Sequence, residues 1–267
     1  MEITQQIEQL NNAQQLAVTS ELGNLLVLAG AGSGKTRVLI NRIAWLITSK
    51  QASAHSILAV TFTNKAAAEM RSRLASMLGA NIRSLWVGTF HGLAHKMLRQ
   101  HWREANLLEH FQVIDSDDQL RLIKRVFKKL NIDEERWEPK KAQGFINRKK
   151  DEAIYARQLS VAESSYDQVM GEIYSNYEQA CQENGVVDFA DLILKSYSLL
   201  ANNPELLQHY QAKFRHFLVD EFQDTNTVQY LWLRILTQQA ASVTVVGDDD
   251  QSIYGWRGAK IENIKRF

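Results

Sequence analysis

Cysteine is almost absent from this sequence. Cys181 is the only one in 267 residues, so no intramolecular disulfide can form and the fold must rest on its core. That fits a reducing compartment, and the cytoplasm is the expected location. Proline is as scarce: Pro139 and Pro204 are the only two, which leaves no proline-rich linker. An excess of one charge is missing too. The 31 Lys and Arg nearly balance 30 Asp and Glu, for a net charge of +1. A generally basic coat is excluded, and any contact with a polyanion must be local. No apolar run approaches the roughly 20 residues that a membrane-spanning helix needs, so no membrane contact is expected. The N-terminal MEITQQIEQLNNAQQLAV has neither the basic nor the apolar region of a secretion signal. What is present, 45% hydrophobic and 23% charged residues, is ordinary for a globular chain with a sizeable core.

Three zones differ in texture. Residues 1–89 alternate short apolar runs with helical patterns. NLLVLAG (24–30), SILAVTF (56–62) and SLWVGTF (84–90) read as strands. Between the first two, Leu39, Ile43, Leu46 and Ile47 recur at the spacing of one helix face. Strand, helix, strand is the unit of a parallel sheet. Residues 90–214 read as an inserted helical domain, with Leu120, Ile123, Val126, Phe127 and Leu130 at helical spacing and a basic run from Arg121 to Lys150. Residues 215–267 return to the sheet texture, with FRHFLVD (214–220) and SVTVVGD (242–248) as strands and Leu231, Ile235 and Leu236 on a helix between them. Polar clusters follow most of these strands. Ligands of doubly wound sheets sit at the carboxyl ends of strands, where this order gathers the clusters.

AGAGSGKT (29–36) follows an apolar strand and opens a helix, the context of a phosphate-binding Walker A loop. In Ala29, Gly30, Ala31, Gly32, Ser33 and Gly34, small residues let backbone N–H groups close around phosphate oxygens. Lys35 would reach the β- and γ-phosphates, and Thr36 would ligate Mg²⁺ through its hydroxyl. Ala29 stands where the strict pattern has glycine. VDEFQD (219–224) supplies an acid at a strand end, so Asp220 is the second expected Mg²⁺ ligand. Glu221 beside it could accept a proton from attacking water, or orient that water.

The segments LNNAQQLAV (10–18), NLLVLAGAGSGKTRVL (24–39), AVTFTNKAAAEM (59–70), VGTFHGLAH (87–95), VDFADLI (187–193), LVDEFQDTN (218–226) and VVGDDDQSIYGWRGA (245–259) carry a resemblance. In order and spacing the chain resembles the N-terminal half of superfamily 1 DNA helicases of the UvrD, PcrA and Rep group. The resemblance implies an α/β fold, a RecA-like P-loop NTPase parallel sheet with an inserted, mainly helical domain. It implies ATP and Mg²⁺ as cofactors and 3′ to 5′ translocation on single-stranded DNA, with roles in nucleotide excision and mismatch repair. Gln14 matches the residue that reads the adenine edge, Arg37 one near the nucleotide, and Gln251 one that senses the γ-phosphate and couples it to DNA. It also implies a second RecA-like domain that supplies arginines for hydrolysis. A chain ending at Phe267 is therefore expected to bind ATP weakly and to unwind little by itself.

Phosphate chemistry leaves Phe62, Tyr254 and Trp256 unexplained. Bases stack on aromatic side chains whatever their sequence, which suits a motor gripping any single strand. Thr61, Asn64, Thr89 and His91 are placed for phosphate contacts, and Arg257 adds charge. His91 and His95 are four apart, but Gly92 stands where a zinc motif needs glutamate, so a metal pair is disfavoured. The basic run Arg121 to Lys150 either meets duplex DNA at a single-strand to double-strand junction or is a solvated helix face. Two other readings compete: a non-catalytic fragment binding DNA or a repair partner, and the helicase-like part of a recombination nuclease, for which no nuclease carboxylate cluster is recognisable. No separate role is assigned to Asp248, Asp249 and Asp250.

Overall fold

The computed structural model describes residues 3–82, 84–159 and 164–248. Along the chain the elements are α1 (Ile3–Glu8), α2 (Asn12–Thr19), β1 (Asn24–Leu28), α3 (Lys35–Thr48), β2 (Ile57–Thr61), α4 (Asn64–Leu78), β3 (Trp86–Thr89), α5 (Phe90–Gln100) and β4 (Gln112–Val113). Then come α6 (Ser116–Leu130), α7 (Pro139–Asp151), α8 (Ser165–Asn184), β5 (Val186–Val187), α9 (Phe189–Asn202), α10 (Pro204–Lys213), β6 (His216–Val219), α11 (Thr227–Thr237) and β7 (Ser242–Gly247). They form two compact units. Of the described residues, one holds those within 3–93, 203–225 and 230–248; the other holds those within 94–202 and 226–229.

The first unit is built on a parallel sheet of order β1-β7-β6-β2-β3. Strands β2, β6 and β7 are buried along their whole length, as strands covered on both faces must be. Their aliphatic and β-branched residues suit that place. Helix α3 turns Leu39, Ile40 and Ile43 inward, and they join Ile57, Ala59, Leu218 and Val246 in one core. A second cluster of Leu10, Val18 and Val38 ties α2 to α3. Helix α10 is anchored to β3 by aromatic contacts: Tyr210 stacks on Phe214 at 5.9 Å, and the Phe214 and Trp86 centroids lie 5.0 Å apart. The register sets Leu28 beside Gly247, Val219 beside Val245, and Val60 beside Val219. The carboxyl ends of β1, β7, β6 and β2 are thus level at one edge. The α/β class and parallel sheet expected from the sequence are both present, with every expected strand formed.

The second unit is mainly helical, with a short parallel pair of β4 and β5. Helix α6 shows why this sequence forms helices. Asp115 caps its start, accepting from the N–H groups of Asp117 and Asp118. Asn131 ends it in a left-handed conformation, φ 53°. Leu122, Ile123, Val126 and Phe127 face the core formed with Phe145, Ile146, Met170, Ile173, Tyr174 and Tyr177. Arg121, Lys124, Arg125, Lys128 and Lys129 face outward.

Lys150 departs from the basic run to which it belongs in sequence. It is fully buried and its ammonium bonds Asp188 at 2.6 Å and Asp191 at 3.0 Å. Tyr177 and Gln119 donate to the same Asp188 carboxylate at 2.7 and 3.0 Å. Burial alone would push the ammonium down and the carboxyl up. The pairing outweighs it, holding Lys150 above and Asp188 below its ordinary range. Asp188 also accepts from the Asp191 N–H and so caps α9.

Candidate functional site

The loop after β1 is shaped by backbone. The Ala29 N–H donates to the Gly247 carbonyl at 3.1 Å, carrying the sheet pairing one residue past β1. Gly32 and Gly34 then take left-handed conformations, φ 71° and 87°, that residues with a Cβ adopt at a cost. Gly34 caps α3 without a side-chain acceptor, so the first N–H groups of that helix face the loop unfilled by protein side chains. Such a loop suits phosphate oxygens. Lys35 begins α3 and is only 9% exposed. Its ammonium donates to the Ala29 and Gly30 carbonyls at 2.7 and 3.1 Å and lies 3.4 Å from Asp248. This positive charge is held at the loop by groups that a phosphate could replace.

The neighbouring strand ends bring the acids. The Thr36 hydroxyl donates to Asp220 Oδ2 at 2.9 Å. Burial pushes the Asp220 carboxyl up to about 6; the Thr36 hydrogen bond opposes the shift and the Glu221 charge adds to it. A carboxylate so desolvated, next to a hydroxyl, offers the hard oxygen donors that Mg²⁺ takes alongside phosphate and water. Among the described residues no group of three or more His, Cys, Asp or Glu could hold a metal by itself. The oxygen donors that do meet here are the Thr36 hydroxyl and the Asp220 carboxylate. Glu221 follows in a left-handed conformation, φ 49°. Gln223, 1% exposed, donates to Glu221 Oε2 at 2.7 Å and accepts from the Asp248 N–H at 3.1 Å. Gly247 leaves room for that bridge: a Cβ there would lie 2.9 Å from Gln223 Oε1.

Gln14 reaches the loop from the other side. Its side chain completes a capping box with Asn11 at the start of α2, and its amide donates to the Ser33 carbonyl at 2.8 Å. The close approach also accounts for Gly34, where a Cβ would come within 2.9 Å of Gln14 Nε2. Arg37 is exposed in the first turn of α3. Lys35, Thr36, Gln14, Asp220 and Glu221 thus converge at one edge of the sheet.

The residues expected to meet DNA are more scattered in character. Thr61 and Thr89 pair across β2 and β3; Thr61 is 1% exposed, and Thr89 accepts from the Gly92 N–H at 3.1 Å. Phe62 is half-buried and meets Phe90 edge-on at 5.4 Å. Asn64 is exposed at the start of α4, and His91 is half-buried in α5. Gln251, Tyr254, Trp256 and Arg257, with Asp249 and Asp250, lie outside the described residues. His95 Nε2 accepts from Arg99 Nε at 3.0 Å.

Sequence reading missed two members of the site. Asp248 had no assigned role, and Gln223 was passed over inside VDEFQD. A glutamine two residues beyond a candidate base was the available signal for the second. In the helical unit, Phe189 of the VDFADLI segment is 57% exposed at the start of α9.

Comparison with known proteins agrees with this geometry. DNA helicase II of Escherichia coli (strain K12) is 52% identical over 267 residues, all of this chain and 37% of that protein. A probable DNA helicase II homolog of Rickettsia felis is 45% identical over 98% of this chain and 40% of its own length. ATP-dependent DNA helicase PcrA of Bacillus subtilis is 43% identical over 97% of this chain and 35% of its own length. The chain therefore spans well under half the length of these relatives. The profile of the UvrD/REP helicase N-terminal domain matches residues 10–267, and the chain belongs to that family.

Proposed function

We propose that the chain is the ATP- and single-strand-binding N-terminal portion of an ATP-dependent 3′ to 5′ DNA helicase acting in DNA repair. The observation that carries this reading is the meeting of Lys35, Thr36 and Asp220 at the carboxyl ends of β1 and β6, which flank β7 in the sheet. Lys35 exchanges its carbonyl and Asp248 contacts for phosphate oxygens, and the loop N–H groups hold the phosphate chain. Thr36 and Asp220 are the residues that would hold Mg²⁺, which when bound offsets phosphate charge. Glu221, steadied by Gln223, orients the attacking water or accepts its proton. Gln14 reads the base and Arg37 lies near the nucleotide. Gln251 couples the γ-phosphate to DNA.

Phe62, Tyr254 and Trp256 stack on bases, while Thr61, Asn64, Thr89, His91 and Arg257 line the phosphate backbone. The outward cations of α6 suit duplex DNA at a junction. A second RecA-like domain, contributed by the rest of a longer protein, completes hydrolysis. Repair proteins are the expected partners. No described helix is long and apolar enough to cross a membrane. The cytoplasm, where ATP and DNA meet in a cell without a nucleus, is the compartment this reading implies.

The test is titration with Mg-ATP and with labelled single-stranded DNA, for wild type and Lys35→Ala, with ATP hydrolysis followed alongside. ATP binding abolished by Lys35→Ala, with DNA binding retained, supports the reading. DNA binding with no ATP binding in either protein would leave a DNA-binding module only.

A further inference from the structure

Arg42, midway along α3, is fully buried. Its guanidinium makes no salt bridge among the described residues. Instead Nη1 donates to the carbonyls of Ala17, Val18 and Ser20, each at 3.1 Å, and to Ser20 Oγ at 3.0 Å. Nη2 donates to the Glu21 carbonyl at 3.2 Å, and Nε to Thr244 Oγ1 on β7 at 2.9 Å. A buried cation without a counter-ion is costly unless hydrogen bonds replace its hydration, and here they do. The carbonyls of Ala17 and Val18 are among those that the end of α2 leaves without helical partners, and those of Ser20 and Glu21 follow directly. An arginine there also complements the helix dipole.

Helix α2 has eight residues, so it spans about 12 Å and is marginal without tertiary anchors. Its far end is held by Arg42 and by the packing of Val18 on Leu10 and Val38. Its near end carries Gln14, which touches the phosphate loop at Ser33. The helix is a strut between a guanidinium fixed to the sheet and the loop that would receive a nucleotide.

We propose that Arg42 is a positioning residue for base recognition: it fixes α2 so that Gln14 meets the base of a bound nucleotide, and so governs base discrimination and leaves phosphate affinity alone. This rests on the nucleotide reading above. Arg42 touches neither the loop nor the expected phosphate positions; its route to the site runs through α2.

The experiment is calorimetric titration of the chain with Mg-ATP and with Mg-tripolyphosphate, which has the phosphates and no base. The proteins are wild type, Gln14→Ala, Arg42→Met, Arg42→Lys and the double variant Gln14→Ala/Arg42→Met. Gln14→Ala and Arg42→Met are each expected to weaken ATP about tenfold while tripolyphosphate changes less than about twofold. The double variant should bind ATP no more weakly than Gln14→Ala alone, because both act through one contact. Arg42→Lys keeps the charge but cannot span from Thr244 to the α2 carbonyls; it is expected to lose part of the ATP preference, and it decides the matter if melting shows Arg42→Met unfolded. Equal loss for both ligands, or a loss that adds to that of Gln14→Ala, would overturn the proposal as mere scaffolding. If Gln14→Ala leaves the ATP preference intact, base reading by Gln14 fails and the proposal falls with it. If wild type binds neither ligand, the nucleotide reading itself is wrong.

Discussion

Thr36 and Asp220, 184 positions apart in the chain, are joined by a 2.9 Å hydrogen bond from hydroxyl to carboxylate. The strand order accounts for the meeting. β7 and then β6 lie next to β1, so the acid closing β6 comes to the helix that follows the loop after β1. Thr36→Val keeps the shape and removes the donor. Mg-ATP affinity is expected to fall about tenfold, with affinity for ATP in EDTA nearly unchanged. Calorimetry with and without Mg²⁺ measures this; equal losses in both conditions would contradict a metal role for Thr36.

The Gln223 bridge gives a stability prediction with internal coupling. Gly247→Ala places a methyl 2.9 Å from Gln223 Oε1, and is expected to cost about 1–3 kcal/mol. Gln223→Ala removes the hydrogen bond from the buried Asp248 N–H to Gln223, at a cost of about 1–3 kcal/mol. The double variant should lose less than the sum, since the shortened side chain makes room for the methyl. Urea unfolding of the four proteins decides; strict additivity would mean the two positions are independent.

The buried Lys150 and Asp188 pair predicts how the helical unit responds to acid. The Asp188 carboxyl titrates lower in the folded chain than in the unfolded one. Its contribution is therefore complete above its ordinary value near pH 4 and is lost as pH falls through the depressed folded value. Lys150→Met is expected to cost about 3–5 kcal/mol at neutral pH, because it strands two buried carboxylates. It should also remove this acid dependence. Unfolding midpoints from about pH 7 down to roughly pH 1–2, below the ordinary carboxylate value, would show both effects; an unchanged acid limb in Lys150→Met would refute the assignment.

Much of this arrangement can be read from the residues alone. Five apolar runs gave five strands because each is short and rich in apolar residues, and three of them are closed by glycine or an acid. The loop from Ala29 to Thr36 declares itself through glycine and lysine at a set spacing. Lys150 does not declare itself. In INRKK it looks like one more surface cation, and only the distant acids Asp188 and Asp191 offset the cost of its burial. Gln223 and Asp248 were opaque for a similar reason. Their roles are bonds between the ends of two strands, and no local pattern encodes which strands become neighbours.

Phe62 offers the plainest test of the DNA track. Its half-buried ring rests on the edge of Phe90, which in turn packs on Trp232, so the ring has a firm support. Phe62→Ala is expected to weaken single-stranded DNA binding by about 1–3 kcal/mol, while Phe62→Tyr keeps most of it. Fluorescence anisotropy with a labelled oligonucleotide measures the change. A matching loss of ATP affinity would point to collapse of the β2 end, with no stacking lost.

Glu221 holds a backbone conformation that glycine would occupy more cheaply, by about 1 kcal/mol. Selection for thermal robustness alone would therefore erode this position, trading the acid for a residue without a side chain. On the role proposed above for Glu221, its carboxylate is kept at a cost in stability. A stabilised variant library screened only by melting temperature would enrich Glu221→Gly and lose the carboxylate that the proposed function requires.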